Sequence, residues 1–177
     1  MSTAESLQSS KAFTGAAVVM GVTSCGKTTL GEALAKALGV KYIEGDALHP
    51  PANITKMSSG QPLNDDDRWP WLTKVGEALQ GNQGIIASCS SLKKSYRDLI
   101  RQTAGRPVYF IHLHGSREVL ARRIAARKNH FMPPSLLDSQ LATLEMPPAS
   151  EPHLTVAITD SPEVQLKKAM AYLLDKG

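Results

Sequence analysis

The stretch Gly21-Val22-Thr23-Ser24-Cys25-Gly26-Lys27-Thr28 constrains this chain more than any other. It has the spacing G-x-x-x-x-G-K-[ST], that of a loop which cradles phosphates. Gly21 and Gly26 permit backbone angles that a side chain resists, so successive N–H groups can turn inward as an anion nest. Lys27 can reach the β- and γ-phosphates of a nucleotide, and the Thr28 hydroxyl can ligate Mg²⁺. A helix starting here, with Thr29 in its first turn, places partial positive charge beneath the phosphates. The flanks agree. Ala16-Ala17-Val18-Val19-Met20 is a short apolar run that reads as a buried strand. Leu30, Leu34, Ala37 and Leu38 then recur at helical spacing before Gly39.

The rest of the composition sets bounds around that loop. A length of 177 residues suits one domain with a real core. No apolar run approaches the roughly 20 residues of a membrane span. The first 14 residues, rich in Ser and Ala, lack the apolar core of a signal peptide and read as a flexible tail, with the domain over 15–177. Cys25 and Cys89 show no metal-like pairing, which points to a reducing cytoplasm. The net charge of +4 suits a site that binds several phosphates and an acidic substrate. No basic run interleaved with aromatics supports nucleic-acid binding.

Along the chain, Lys41-Tyr42-Ile43-Glu44 reads as a second strand. Glu44 and Asp46 flank Gly45, and on an extended segment their side chains share one side. Ligands gather beyond the carboxyl ends of the strands of an α/β sheet. Both carboxylates therefore belong near the γ-phosphate, one for a Mg²⁺-bound water and one for an acceptor hydroxyl. Residues of about 46–70, with Leu48-His49-Pro50-Pro51 and Asn64-Asp65-Asp66-Asp67-Arg68, leave the sheet and form the candidate acceptor-binding region. Asn64 or an aspartate can cap the helix that follows. The Arg68 guanidinium can grip a carboxylate with two hydrogen bonds. Trp69 and Trp71 read as packing.

Gly84 to Ser88 reads as the third strand. The helix after it carries Lys93, Arg97 and Arg101 at four-residue spacing, Lys93 and Arg97 nearer the strand end. Pro107 to Leu113 is a fourth strand, with His112 a core histidine. A helix from about Ser116 ends in Arg122, Arg123, Arg127 and Lys128. A Pro-bounded turn and a short return helix, with Ser135-x-x-Asp138 as a capping box, complete a candidate lid over about 122–148. Leu154 to Thr159 is the fifth strand, and Asp160-Ser161-Pro162 starts the last helix. Five strands alternating with helices give a three-layer α/β domain on a parallel sheet.

Several ordered stretches over residues 16–175 carry a resemblance: Gly45-Asp46-x-x-His49-Pro50, Asn53-x-x-Lys56-Met57, Gly60-x-Pro62-Leu63-Asn64-Asp65-x-Asp67-Arg68-x-Pro70-Trp71-Leu72, Ser88-Cys89-Ser90-x-Leu92-Lys93-Lys94-x-Tyr96-Arg97-Asp98, Arg127-x-x-His130-Phe131-Met132-Pro133 and Ser139-Gln140-x-x-Thr143-Leu144-Glu145. In these the sequence resembles the gluconate kinases, small P-loop kinases related to shikimate and adenylate kinases. The resemblance implies strand order 2-3-1-4-5, MgATP as donor, D-gluconate as acceptor, 6-phosphogluconate as product, a lid that closes over ATP, and often a homodimer. It places Arg123 against adenine and Arg127 on phosphate, and adds His49 and His130 to the acceptor site. Cys25 stands where the family usually has Ser or a small residue. Glu44 stands where Asp is more usual.

The expected catalytic set is Lys27, Asp46 and Arg127. Asp46 orients the acceptor hydroxyl and takes its proton, and Arg68, with Lys93 or Arg97, clamps the carboxylate. Thr28 holds Mg²⁺, and Glu44 does so through water. A kinase of another small hydroxy acid, or a nucleotide-binding module without transfer, are the rival readings.

Overall fold

The computed structural model describes residues 12–126 and 134–176. The chain runs β1 (Ala16–Met20), α1 (Lys27–Leu38), β2 (Lys41–Glu44), a 3-10 turn (Gly45–Leu48), α2 (Pro51–Ser58), α3 (Asp65–Ala78) and β3 (Ile85–Ser88). It continues through α4 (Lys94–Ala104), β4 (Val108–His114), α5 (Arg117–Ala126), α6 (Pro134–Thr143), β5 (His153–Ala157) and α7 (Pro162–Lys176). The five strands pair in parallel in the order β2-β3-β1-β4-β5, as the resemblance implied.

Strand β1 lies at the centre because it can be buried on both faces. All five of its residues are fully buried, the continuous apolar pattern expected of parallel sheets. Its register pairs Val18 with Ala87 on one side and with Phe110 on the other. Leu30 and Leu34 of α1 pack on one face of the sheet, and Leu72 and Val75 of α3 with Ile100 of α4 join the same core. Each such leucine is worth about 2–5 kcal/mol against alanine.

Helix α3 starts as its sequence dictates. Asn64 accepts from the Asp67 backbone N–H, and the Asp67 carboxylate accepts from the Asn64 N–H, a complete capping box. Asp67 also accepts from Lys56 Nζ at 2.7 Å, which ties α2 to α3. The expected box at Ser135 does not form. Helix α6 already begins at Pro134, and Asp138 instead takes two hydrogen bonds from Arg117, at 2.6 and 3.2 Å. The guanidinium offers the carboxylate two fixed donors, where a cap would offer one N–H.

Candidate active site

The loop after β1 turns at Gly21, whose φ is +147°. A Cβ there would lie 2.7 Å from both Cys25 Sγ and the Leu113 carbonyl oxygen, so only glycine fits. Its N–H donates to the Ser90 carbonyl, which ties the loop to the β3–α4 turn. Gly26 caps α1 in the left-handed region, and Ser24 also has positive φ. The loop thus alternates handedness, the backbone form of an anion nest. Lys27 Nζ donates across it to the Val22 carbonyl at 3.0 Å. Cys25 is buried.

Glu44 and Asp46 do not share an extended segment. The chain leaves β2 at Glu44 and winds into the 3-10 turn, because Gly45 presses on β3: a Cβ there would sit 2.0 Å from the Ser88 carbonyl oxygen. The two carboxylates therefore serve different groups. Glu44 Oε2 accepts from Thr28 Oγ1 at 2.6 Å and from the Tyr42 hydroxyl at 2.8 Å, and Oε1 accepts from Ser88 Oγ at 2.8 Å. Burial pushes the Glu44 carboxyl up, but the hydrogen bonds from Thr28, Ser88, Tyr42 and the Asp46 backbone outweigh it and hold it below its ordinary value. The same burial lifts the Tyr42 phenol to about 12. An ionised carboxylate beside a threonine hydroxyl is a hard-oxygen pair, the donor chemistry that suits Mg²⁺.

Asp46 opens into a cavity of about 340 Å³ with Thr23, Lys27, His49, Arg68 and Trp71. The β3–α4 turn contributes Ser90 and Leu92, and α6 contributes Leu136, Ser139 and Gln140. Asp46 lines this concavity and stays exposed to solvent, its carboxyl flanked by protein. The surrounding protein mass raises it above its ordinary value, Lys27 opposes that, and Glu44 adds to it. Arg68 is held by the Tyr96 hydroxyl at 2.9 Å, and Tyr96 in turn donates to Asp65. Lys93 Nζ reaches both Asp65 oxygens, at 3.2 and 3.3 Å, and borders an open depression beside Arg68. Trp71 is buried and donates to the Gly45 carbonyl at 2.8 Å.

Arg97 is not in this cavity. It is wholly buried and paired with Glu151 at 2.7 Å, and it donates to the Ser91 and Leu92 carbonyls. Its Nε and Nη1 are bound to the protein and its Nη2 is sealed from solvent, which removes it from the carboxylate clamp. Arg101 lies 3.4 Å from the same Glu151 and over the Phe110 ring. His112 is a buried core histidine, as the sequence suggested, and burial beside His114 lowers it to about 4.

A second cavity, about 150 Å³, lies on the other side of the loop and is lined by Cys25, Gly26, Thr29, Arg123, Asp160 and Gln165. Arg123 donates to the Ile158 carbonyl at 2.6 Å and stands 4.0 Å from where a side chain on Gly26 would begin. Arg127 and His130 lie outside the described residues.

Sequence reasoning missed Gln140, whose Oε1 accepts from the Thr23 N–H at 2.7 Å. It also missed Tyr42 and Ser88 as the holders of Glu44. A phosphate-binding loop between two cavities, with a hydroxyl–carboxylate pair at its helix and a lone carboxylate facing a cationic pocket, defines a P-loop kinase of a small acidic acceptor.

The comparisons narrow that class. A family profile described as an AAA domain matches residues 17–147. The chain is 47% identical over 159 residues to a gluconokinase of Gluconobacter oxydans (strain 621H), covering 88% of this chain and 89% of that protein. It is 46% identical over 156 residues to a probable gluconokinase of Schizosaccharomyces pombe, covering 82% and 81%. A solved gluconokinase from Sinorhizobium meliloti 1021 matches with a TM-score of 0.86 and 50% identity, over 93% of this chain and 94% of that one. The chain belongs to the gluconokinase family.

Proposed function

We propose that the chain performs the gluconokinase reaction by in-line transfer of the ATP γ-phosphoryl group to the 6-hydroxyl of D-gluconate, with Asp46 directed at that hydroxyl. The observation that carries this reading is the placement of Lys27, Asp46 and Arg68 on one cavity beside the phosphate loop. Positioning and charge stabilisation supply most of the rate in such transfers. The loop from Gly21 to Thr28 holds the phosphates, with Lys27 on the transferring group. Arg123 and Thr29 face the nucleotide side of the loop. Asp46 orients the acceptor and receives its proton. Arg68, supported by Lys93, meets the gluconate carboxylate.

Thr28 and Glu44 are the residues that would hold Mg²⁺, Glu44 through water. The ion's contribution is to neutralise charge on the phosphate oxygens. Residues of about 46–70 form the acceptor side. The lid spans about 122–148, with Arg127 and His130 on it, and the bond from Thr23 to Gln140 supports α6 as its inner face.

No helix of the described residues is long and apolar enough to cross a membrane. Two buried cysteines without a disulfide suit the reducing cytoplasm. The homodimer is tested by sedimentation of the purified protein.

The reading is tested by ADP release from MgATP with D-gluconate, shikimate, glucose, other sugar acids or no acceptor. Release with gluconate alone is expected. Release with another acid would reassign the pocket, and release without any acceptor would remove the kinase reading.

A further inference from the structure

We infer that Asn53 fixes His49 in the tautomer that carries its proton on Nε2, making His49 a neutral hydrogen-bond donor to an acceptor oxygen in the cavity. Asn53 Nδ2 lies 2.9 Å from the Asp67 carbonyl oxygen. A carbonyl oxygen only accepts, so the atom facing it is the amide nitrogen and not the amide oxygen. That same nitrogen lies 3.2 Å from His49 Nδ1. The amide gives one N–H to Asp67 and the other to the ring. Nδ1 is then the lone-pair nitrogen, and in a neutral ring the proton resides on Nε2.

Stacking on Trp71, with centroids 3.9 Å apart and planes 19° from parallel, fixes the plane of the ring. A half-turn within that plane would put Cδ2 in place of Nδ1 and forfeit the bond from Asn53. Trp71 is itself pinned to the Gly45 carbonyl. His49 is buried at 8% exposure but lines the cavity. No described residue bonds Nε2, and that atom is not among the sealed, unpartnered ones. Burial first, and then the charge of Arg68, lowers the ring to about 4, so it remains uncharged near neutral pH. Arg68 and Lys27 line the same cavity as His49 and oppose a further positive charge. Asp46 is the one carboxylate among the side chains lining it.

Two consequences follow for the reaction. His49 cannot act as the base, because its available nitrogen already holds a proton. It also selects for an oxygen with a lone pair, a hydroxyl or a carboxylate, rather than for net negative charge. Asn53 is a positioning residue that acts through His49. This role rests on the cavity being the gluconate pocket, whereas the tautomer does not.

The experiment uses the full-length ¹⁵N-labelled protein. Long-range ¹H–¹⁵N spectra should show one ring with Nε2 protonated and Nδ1 bare, unchanged from about pH 8 to about pH 5.5. Loss of that signal in His49→Gln assigns it. Asn53→Asp replaces the donor to Nδ1 by an acceptor and should move the proton to Nδ1. Its KM for gluconate should rise about tenfold while that for ATP stays within about twofold. His49→Gln, which keeps an N–H near the Nε2 position, should retain more kcat/KM than His49→Phe.

A ring protonated on Nδ1 in the wild type, or one that titrates in that pH range, would overturn the tautomer. The expected tautomer with an unchanged gluconate KM in both Asn53→Asp and His49→Phe would overturn the donor role. A wild type without gluconate-dependent ADP release would overturn the pocket reading, and the role with it, while the spectrum still reports the tautomer.

Discussion

The Thr28 hydroxyl donates to Glu44 Oε2 across 2.6 Å, joining the first turn of α1 to the end of β2. Tyr42 and Ser88 donate to the same carboxylate. Because the folded protein holds the Glu44 carboxyl below its ordinary value of 4.5, its ionised form favours the fold. That stabilisation is complete above pH 4.5 and is lost as pH falls through the lower folded value. In thermal melts across pH, Glu44→Gln should therefore be less stable than wild type near neutrality, and the gap should close in acid. A gap independent of pH would remove the carboxylate's role.

Asp46 predicts a different pH dependence. Burial raises its carboxyl above the ordinary 3.8, against the pull of Lys27. The base role proposed for it needs the ionised form, so kcat should drop as pH is lowered, on a limb displaced above 3.8. Asp46→Asn should lose about 10²–10⁴-fold in kcat and should lose that limb, while ATP still binds. Stopped-flow or coupled-assay turnover across pH, with calorimetric ATP binding, checks both parts.

Arg68 stands fixed by the Tyr96 hydroxyl before any substrate is considered. Its removal should act on acceptor binding. Arg68→Ala is expected to raise the gluconate KM roughly 10- to 100-fold with little change for ATP. An unchanged gluconate KM in steady-state kinetics would refute the clamp.

Arg97 makes the opposite prediction, although it lies one helical turn from Lys93. Glu151→Gln leaves a buried guanidinium without its counter-charge and should cost about 3–5 kcal/mol in urea unfolding. At saturating substrates the folded fraction should turn over normally. A large rise in gluconate KM with intact stability would return Arg97 to the acceptor site.

The contrast between Lys93 and Arg97 marks the limit of reading the sequence. Strands such as Ala16–Met20 and helices such as α1 are written in local periodicity, and the phosphate loop in local spacing. The cationic stripe on α4 has the same spacing whether it faces a substrate or a buried carboxylate. Glu151 settles the matter from 54 residues away, in a turn without periodicity. Gln140 meets Thr23 across 117 residues, and no local pattern announces it. Asp46 and Arg68 could be singled out by charge and by the motifs around them, and both line the cavity beside the loop. His49 could be singled out from its motif and lines the same cavity, but its contact with Asn53, and that of Asn53 with Asp67, arise only where α2 packs against α3.

The strand order has a consequence for synthesis. Strand β1 bears the phosphate loop, yet its ladder partners are β3 and β4. A chain emerging from its N-terminus holds β1 unpaired until Ile85–Ser88 has been made, and one-sided until Val108–His114 follows. The nucleotide motif is translated before either of the strands that frame it. Half-made chains carry the loop's sequence without its fixed geometry, and an apolar strand that still needs a neighbour on both edges.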